Sequence, residues 1–138
     1  MVVEVVASHA MKLATEDDVL FVRRRVREIA ESRKFDTFAI AAITTATSEL
    51  ARNVIVHGHG GDAAVDEVTD GHRTGIRIAF TDKGPGISDV PRVMAGGYST
   101  ARSMGLGLSG SKRLVDEFAI DSVVGRGTIV TVTKWKRF

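Results

Sequence analysis

The sequence predicts an α+β protein arranged as a two-layer α/β sandwich, and three observations carry that prediction. Segments with helical apolar spacing fill the first third, short β-branched or alternating segments follow, and the regular strand-helix alternation of a doubly wound sheet is missing. With 138 residues, 43% of them hydrophobic, the chain has material for one core, so a single domain over residues 1–138 is expected.

Residues 2 to 6 are Val-rich and short, which predicts a strand at a sheet edge. Thr15 reads as a helix N-cap, followed by Glu16, Asp17 and Asp18, where carboxylates meet the positive end of the helix dipole. Val19, Val22, Val26 and Ile29 then recur at helical spacing, leaving Arg23, Arg24 and Arg27 to a solvated surface. Asp36 is the expected cap of a second helix, which runs to about His57 and stops at Gly58. Its core side holds Ile40, Ile43, Thr47, Leu50, Ala51 and Val54. Its other side carries Ala42, Thr45, Ala46, Glu49 and Asn53, small residues leading to a carboxylate and an amide four positions apart. Something can approach that side closely.

Residues 62 to 69 predict a strand, Asp70-Gly71 a hairpin turn, and residues 75 to 82 a strand with Ile76, Ile78 and Phe80 on one face. By parity Asp82 shares that apolar face. A carboxylate there is costly unless a donor reaches it, so Asp82 needs a partner. From Asp89 to Met104 the pattern weakens and predicts a mobile loop. A helix with Leu106, Leu114, Val115 and Phe118 on its apolar side is expected next. Strands at 120–124 and 128–132 follow, joined by Gly125-Arg126-Gly127, with Thr128 on the parity of Val130 and Val132.

Lys and Arg number 19 against 17 Asp and Glu, and both signs are scattered, so nucleic acid is not the expected partner. Without cysteine there is no disulfide, thiolate zinc site or Cys nucleophile. The opening Val-rich segment is too short for a signal peptide, and no apolar run approaches the ~20 residues of a membrane span. A soluble, cytoplasmic protein with no membrane partner is expected.

Residues 105 to 110 fit the dinucleotide pattern G-x-G-x-x-G, but they follow a long polar stretch and not a strand. Residues 105 to 112 nearly fit a P-loop, except that Ser111 precedes Lys112. What survives is general: a glycine-rich entry to a helix exposes N–H groups and suits phosphate. His57-Gly58-His59 invites a metal reading, yet no Cys or carboxylate cluster completes a zinc set, and a histidine at a helix end is the simpler account. Ser48 and Ser99 have no recognisable paired base.

Four elements then occur in order: Glu49-Leu50-Ala51-Arg52-Asn53, Asp82-Lys83-Gly84-Pro85-Gly86, Gly105-Leu106-Gly107-Leu108 and Gly125-Arg126-Gly127-Thr128. Together they resemble the asparagine box and glycine boxes of the GHKL ATPase superfamily, and they span most of the chain. That resemblance implies the Bergerat ATP-binding fold, a mixed, mostly antiparallel sheet with helices on one face. Residues 43 to 53, the loop Gly97-Tyr98-Ser99-Thr100 and the ending Lys134-Trp135 look like bacterial serine/threonine switch kinases of the RsbT type, with anti-sigma factors as near neighbours.

The resemblance implies a Ser/Thr protein kinase that uses ATP and Mg²⁺ and phosphorylates a STAS-domain antagonist in a partner-switching stress pathway. When released, such a kinase activates a PP2C-type phosphatase. It also implies roles: Asn53 for Mg²⁺, Glu49 as the base for the attacking hydroxyl, and Asp82 as acceptor for the adenine amine, helped by Thr128 through water. Gly84 and Gly86 let the backbone pass close to base and sugar. Gly105, Leu106, Gly107 and Leu108 form the phosphate-binding helix entrance, and Arg102, in a lid between Ala95 and Met104, is a candidate clamp on the terminal phosphate. An anti-sigma factor that inhibits a sigma factor and a non-catalytic, nucleotide-gated binding module are the alternatives. A homodimer is left open.

Overall fold

The computed structural model describes the backbone of residues 2–95 and 99–137 and the side chains of all of these except 99–106. Five strands, β1 (Glu4–Leu13), β2 (Gly61–Thr69), β3 (Thr74–Asp82), β4 (Glu117–Val123) and β5 (Gly127–Trp135), form one sheet in the order β1-β2-β3-β5-β4. All four pairings are antiparallel, so the mixed sheet implied by the resemblance is wholly antiparallel among the described residues. The helices are α1 (Glu16–Ser32), α2 (Thr37–Val56), α3 (Val90–Met94) and α4 (Ser99–Leu114).

Helix α1 starts where the sequence places it. Thr15 Oγ1 accepts from the Asp18 amide, and Asp18 Oδ2 accepts from the amides of Ala14 (2.8 Å) and Thr15 (3.0 Å). Those backbone donors hold the Asp18 carboxyl below the usual carboxylate range. Val19, Val22, Val26 and Ile29 are buried, and Arg23, Arg24 and Arg27 are exposed. Asp36 caps α2 by accepting from the Ala39 amide at 2.7 Å. Helix α2 lays Ile43, Leu50, Ala51 and Val54 into a core shared with Val65, Ile78, Phe80, Val130 and Val132 from the sheet. Helix α4 packs against α2, and Ala46 on the small-residue side is fully buried while Thr45 and Glu49 stay exposed.

Four expectations need correction. The first strand is not confined to residues 2–6: it runs Glu4–Leu13 along β2, with a register irregularity between Val5 and Ala7. Polar contacts tie it there. Ser8 donates to Asp66, and His9 and Arg33 both reach Glu67. Burial pushes the Glu67 carboxyl up, but the His9 and Arg33 contacts outweigh it and leave the group below its ordinary value.

The expected loop from Asp89 to Met104 contains α3, capped by Asp89 with Pro91 in its first turn, and the beginning of α4. The last helix ends at Leu114, which puts Phe118 in β4 and removes it, with Val115, from the helix face assigned to them. Finally, β4 and β5 are longer than the segments 120–124 and 128–132, because their pairing with each other and with β3 extends them.

Candidate functional site

A pocket of about 410 Å³, its mouth included, opens beside α2, α4 and the ends of β3 and β5. Leu50, Val54, Phe80, Ile87, Leu108 and Val130 make its walls apolar, and Asn53, His57, Asp82 and Thr128 supply its polar side chains. A mostly apolar cleft with a few placed polar groups is the usual form of a small-molecule site.

The last residue of β3 lies at one end of it. Asp82 follows Ile76, Ile78 and Phe80 on the helix-facing side, as its parity predicts, and stands directly opposite Thr128 on β5. The partner it needs is the amide of Gly84, which donates to Asp82 Oδ1 at 2.9 Å. Two glycines leave room for this arrangement. A methyl group built on Gly58 would lie 2.5 Å from both Cβ and Oδ2 of Asp82, and one on Gly84 would lie 2.7 Å from the Gly58 Cα. Thr128 Oγ1 is 2.8 Å from Ser122 Oγ, which also accepts from the Ile87 amide at 2.8 Å. Ser122 therefore fixes both the threonine and the loop that carries Ile87. Gly86, in the same loop, takes a φ of +77° with Val123 backbone packed beside it, a place where a side chain would be strained.

The other end is built by α2 and α4. Asn53 and Glu49, one turn apart on α2, both approach Gly107 of α4: a methyl group there would lie 3.2 Å from Asn53 Nδ2, 3.4 Å from Asn53 Oδ1 and 3.5 Å from Glu49 Oε2. Asn53 Nδ2 is buried without a hydrogen-bond partner among the described residues. An orphaned amide is costly in a folded core and marks a place where a ligand completes the set. An amide can present its oxygen as readily as its nitrogen, and an oxygen donor beside a carboxylate suits Mg²⁺, which takes few protein ligands and keeps several waters. The residues present thus fit a nucleotide-bound Mg²⁺. Glu49 is about half exposed, 3.5 Å from Arg52 Nη1, and Arg52 Nε is 3.8 Å from Glu16. Such exposed pairs hold a side chain weakly and leave the carboxylate available.

Of the residues singled out in the sequence, Asn53, Asp82, Gly86, Leu108 and Thr128 line the pocket; Gly84 holds Asp82, and Gly107 abuts Asn53 and Glu49. The side chains of Arg102 and Leu106, and the surroundings of Gly105, lie outside the described residues, as does the loop at Gly97 and Tyr98. Among the described residues no group of three or more His, Cys, Asp or Glu gathers as a metal cage. His57 lines the pocket, whereas His59 is exposed at a φ of +62°. Sequence reasoning missed Gly58, Ser122 and Ile87 as parts of the site. The glycine directly after the helix end was the one local signal for any of them.

Comparison with known proteins agrees with this geometry. Residues 13–134 match the family described as the histidine kinase-like ATPase domain. The chain is 42% identical over 127 residues to the serine/threonine-protein kinase RsbT of Bacillus subtilis (strain 168), covering 92% of this chain and 96% of that protein. It is 32% identical over 102 residues to the anti-sigma F factor of Thermoanaerobacter sp. (strain X514), covering 70% of each. Two solved structures share the fold. The RsbU and RsbW domains of Rv1364c from Mycobacterium tuberculosis superpose with a TM-score of 0.66 at 24% identity, covering 96% of this chain and 34% of that one. A chain of the SiaB-SiaC complex from Pseudomonas aeruginosa superposes with a TM-score of 0.58 at 8% identity, covering 95% of this chain and 90% of that one. With the family matched over most of its length, the chain belongs to the histidine kinase-like ATPase domain family.

Proposed function

We propose that this protein is an ATP-dependent serine/threonine kinase of a bacterial partner-switching pathway, acting on a STAS-domain antagonist and, once released from it, activating a PP2C-type phosphatase. The observation that carries the reading is the convergence of Glu49 and Asn53 on Gly107, with Asp82 in the same pocket. Similarity to a kinase named for serine and threonine phosphorylation supports the reaction class.

Asp82, held by the Gly84 amide, keeps its second oxygen to accept from the adenine amine. Thr128, across the ladder, assists through water. The apolar walls exclude solvent around the base. Asn53 would hold Mg²⁺ through its side-chain oxygen, and the chemistry such an ion would supply is charge neutralisation at the phosphate oxygens. Glu49 accepts the proton of the partner's Ser or Thr hydroxyl as that oxygen bonds to the γ-phosphorus and the bond to the bridging oxygen breaks, leaving ADP. Gly107 keeps the gap between these groups open, and the N-terminal part of α4 is the expected phosphate cradle, with Gly105 and Leu106 in it and Arg102 assigned to the terminal phosphate. No helix among the described residues is long and apolar enough to cross a membrane.

Incubation with labelled ATP, Mg²⁺ and purified STAS-domain proteins tests the proposal. Transfer to a Ser or Thr that is lost in Glu49→Gln is expected; no transfer at stoichiometric protein, with Glu49→Gln equal to wild type, overturns it. The identity to an anti-sigma F factor keeps one second reading in play. Under that reading, a pull-down against purified partners retains a sigma factor and not a PP2C-type phosphatase.

A further inference from the structure

A second hollow, about 620 Å³ with its mouth included, opens at the opposite end of the helix layer from the nucleotide pocket. Ala39 and Ala42 of α2 line it beside Leu114 of α4, and Trp135 at the end of β5 backs them. Gly107 abuts Asn53 and Glu49, whereas Leu114 shares this hollow with Ala39 and Ala42, so the two helices run antiparallel. Roughly 20 Å of α2 therefore separates the hollow from Asn53.

Phe38 stands on its rim at 88% exposure, the most exposed large hydrophobic side chain among the described residues. The start of α2 does not need it. Asp36 caps the helix, and the apolar residue placed to staple that cap is Phe35, which is buried. One exposed ring alone carries no meaning, but this one is bordered by cations. Arg113, Lys134 and Arg137 line the same hollow. Asp116 Oδ1 lies 3.9 Å from Lys134 Nζ and 3.6 Å from Arg137 Nη2, so one carboxylate answers two cations. Arg113 is exposed and has no ion pair with any described residue. The acid in the lining is Asp36, whose carboxylate is engaged by the Ala39 amide. The rim is left positive.

We propose that this hollow is a docking surface for a partner protein, taking an acidic segment whose carboxylates meet Arg113 and Arg137 while an apolar side chain packs against Phe38 and Leu114. Charge complementarity selects the occupant. A bare anion would leave Phe38 in water, and a purely apolar segment would bury Arg113 without a counter-charge, which is costly. Aromatic and arginine side chains are also the types that carry most of the energy in protein interfaces. The distance from Asn53 leaves the nucleotide pocket open when the partner is docked. The proposal goes beyond the reaction assigned above and does not depend on it.

An NMR titration of the full chain tests this, with a short synthetic peptide that sets two leucines among glutamates as the probe. That peptide is expected to move the amide signals of Phe38, Ala39, Ala42 and Leu114 and to leave those of Asn53 and Asp82 in place. Phe38→Ser and Arg113→Glu should each weaken it roughly tenfold, with Tm and Mg-ADP affinity unchanged, and saturating Mg-ADP should not displace it. The same peptide with lysines for glutamates, an all-glutamate peptide and inorganic phosphate should each leave the Phe38 signal where it is. No shift at the hollow, shifts centred elsewhere, or displacement by Mg-ADP would overturn the proposal. So would an equal response to any of the three control probes, or full affinity in both variants.

Discussion

Asp82 and Thr128 are cross-strand partners, the last residue of β3 facing the second residue of β5, and both side chains enter one pocket. An antiparallel pair places such residues about 5 Å apart, close enough for one small polar group of a ligand or a water to touch both. On the proposed function, the sheet thereby ends in a two-residue reader of the base. Gly84 fixes one half through its amide and Ser122 fixes the other through its hydroxyl.

Replacing the carboxylate tests that reader directly. Asp82→Asn preserves size and can still accept from Gly84 through its one oxygen, but it then turns an NH2 donor, in place of a charged acceptor, toward the adenine amine. Charge-assisted hydrogen bonds contribute roughly 1.5–3 kcal/mol, so ATP affinity should fall about 10- to 150-fold. Circular dichroism and the Tm should change little, and calorimetry reads the affinity.

Gly58→Ala acts on the same carboxylate without touching its charge. The new methyl group would overlap Asp82 Cβ as well as its carboxylate, and because rotation of the side chain cannot move Cβ, the end of α2 and the end of β3 must be pushed apart, which displaces the carboxylate. The expected outcome is a loss of ATP affinity comparable to that of Asp82→Asn. In the double variant the two losses should fall well short of adding, since both remove one contact.

Gly107→Ala should separate stability from activity. Gly107 is helical, and alanine in a helix interior is favoured by roughly 0.5–1 kcal/mol, so the melting temperature should hold or rise. Its methyl group would press on Asn53 and Glu49 at 3.2 to 3.5 Å, and Mg-ATP binding and transfer should fall. A denaturant melt beside a transfer assay checks both halves.

Asp70 gives a prediction about acid. In the β2–β3 turn its carboxylate accepts from the amides of Arg73 and His72 and from Arg73 Nε, and the backbone donors, Arg73 first, lower its pKa from 3.8 to about 2. A depressed folded-state pKa means that the stabilisation is complete above the unfolded value and disappears as pH falls through the folded one. The window is therefore about pH 4 down to about pH 2. The stability difference between wild type and Asp70→Asn, measured by urea melts across that window, should shrink as pH falls. A constant difference would show that the turn does not depend on the charge.

The sequence made much of this visible where local chemistry decides the outcome. Thr15 and Asp36 cap helices, Asp70-Gly71 turns a hairpin, and the parity of Ile76, Ile78 and Phe80 delivers Asp82 to the site. Long-range pairing decides the rest. β1 has little β-branched character beyond Val6, and only Leu13 in it is fully buried, so its length is set by β2. Helix α3 spans five residues, too few to show a period. Helix α4 is expected from about Leu106 on, but it begins at Ser99, within the stretch whose weak pattern reads as a loop. Ser122 joins the site through a bond across β4 and β5, which no local pattern announces. His57 was visible as a helix-end histidine, but its place in the pocket follows from the approach of β3 to α2.

The central claim is that a carboxylate at the end of β3 reads a purine while an amide and a carboxylate on α2 serve the phosphates. A crystal structure with Mg²⁺ and a non-hydrolysable ATP analogue tests it most directly. The account predicts the adenine amine within hydrogen-bond distance of Asp82, the metal on the Asn53 side-chain oxygen, and the γ-phosphate on the Glu49 side of Gly107. An analogue bound elsewhere, or bound here with its base turned away from Asp82, would contradict it.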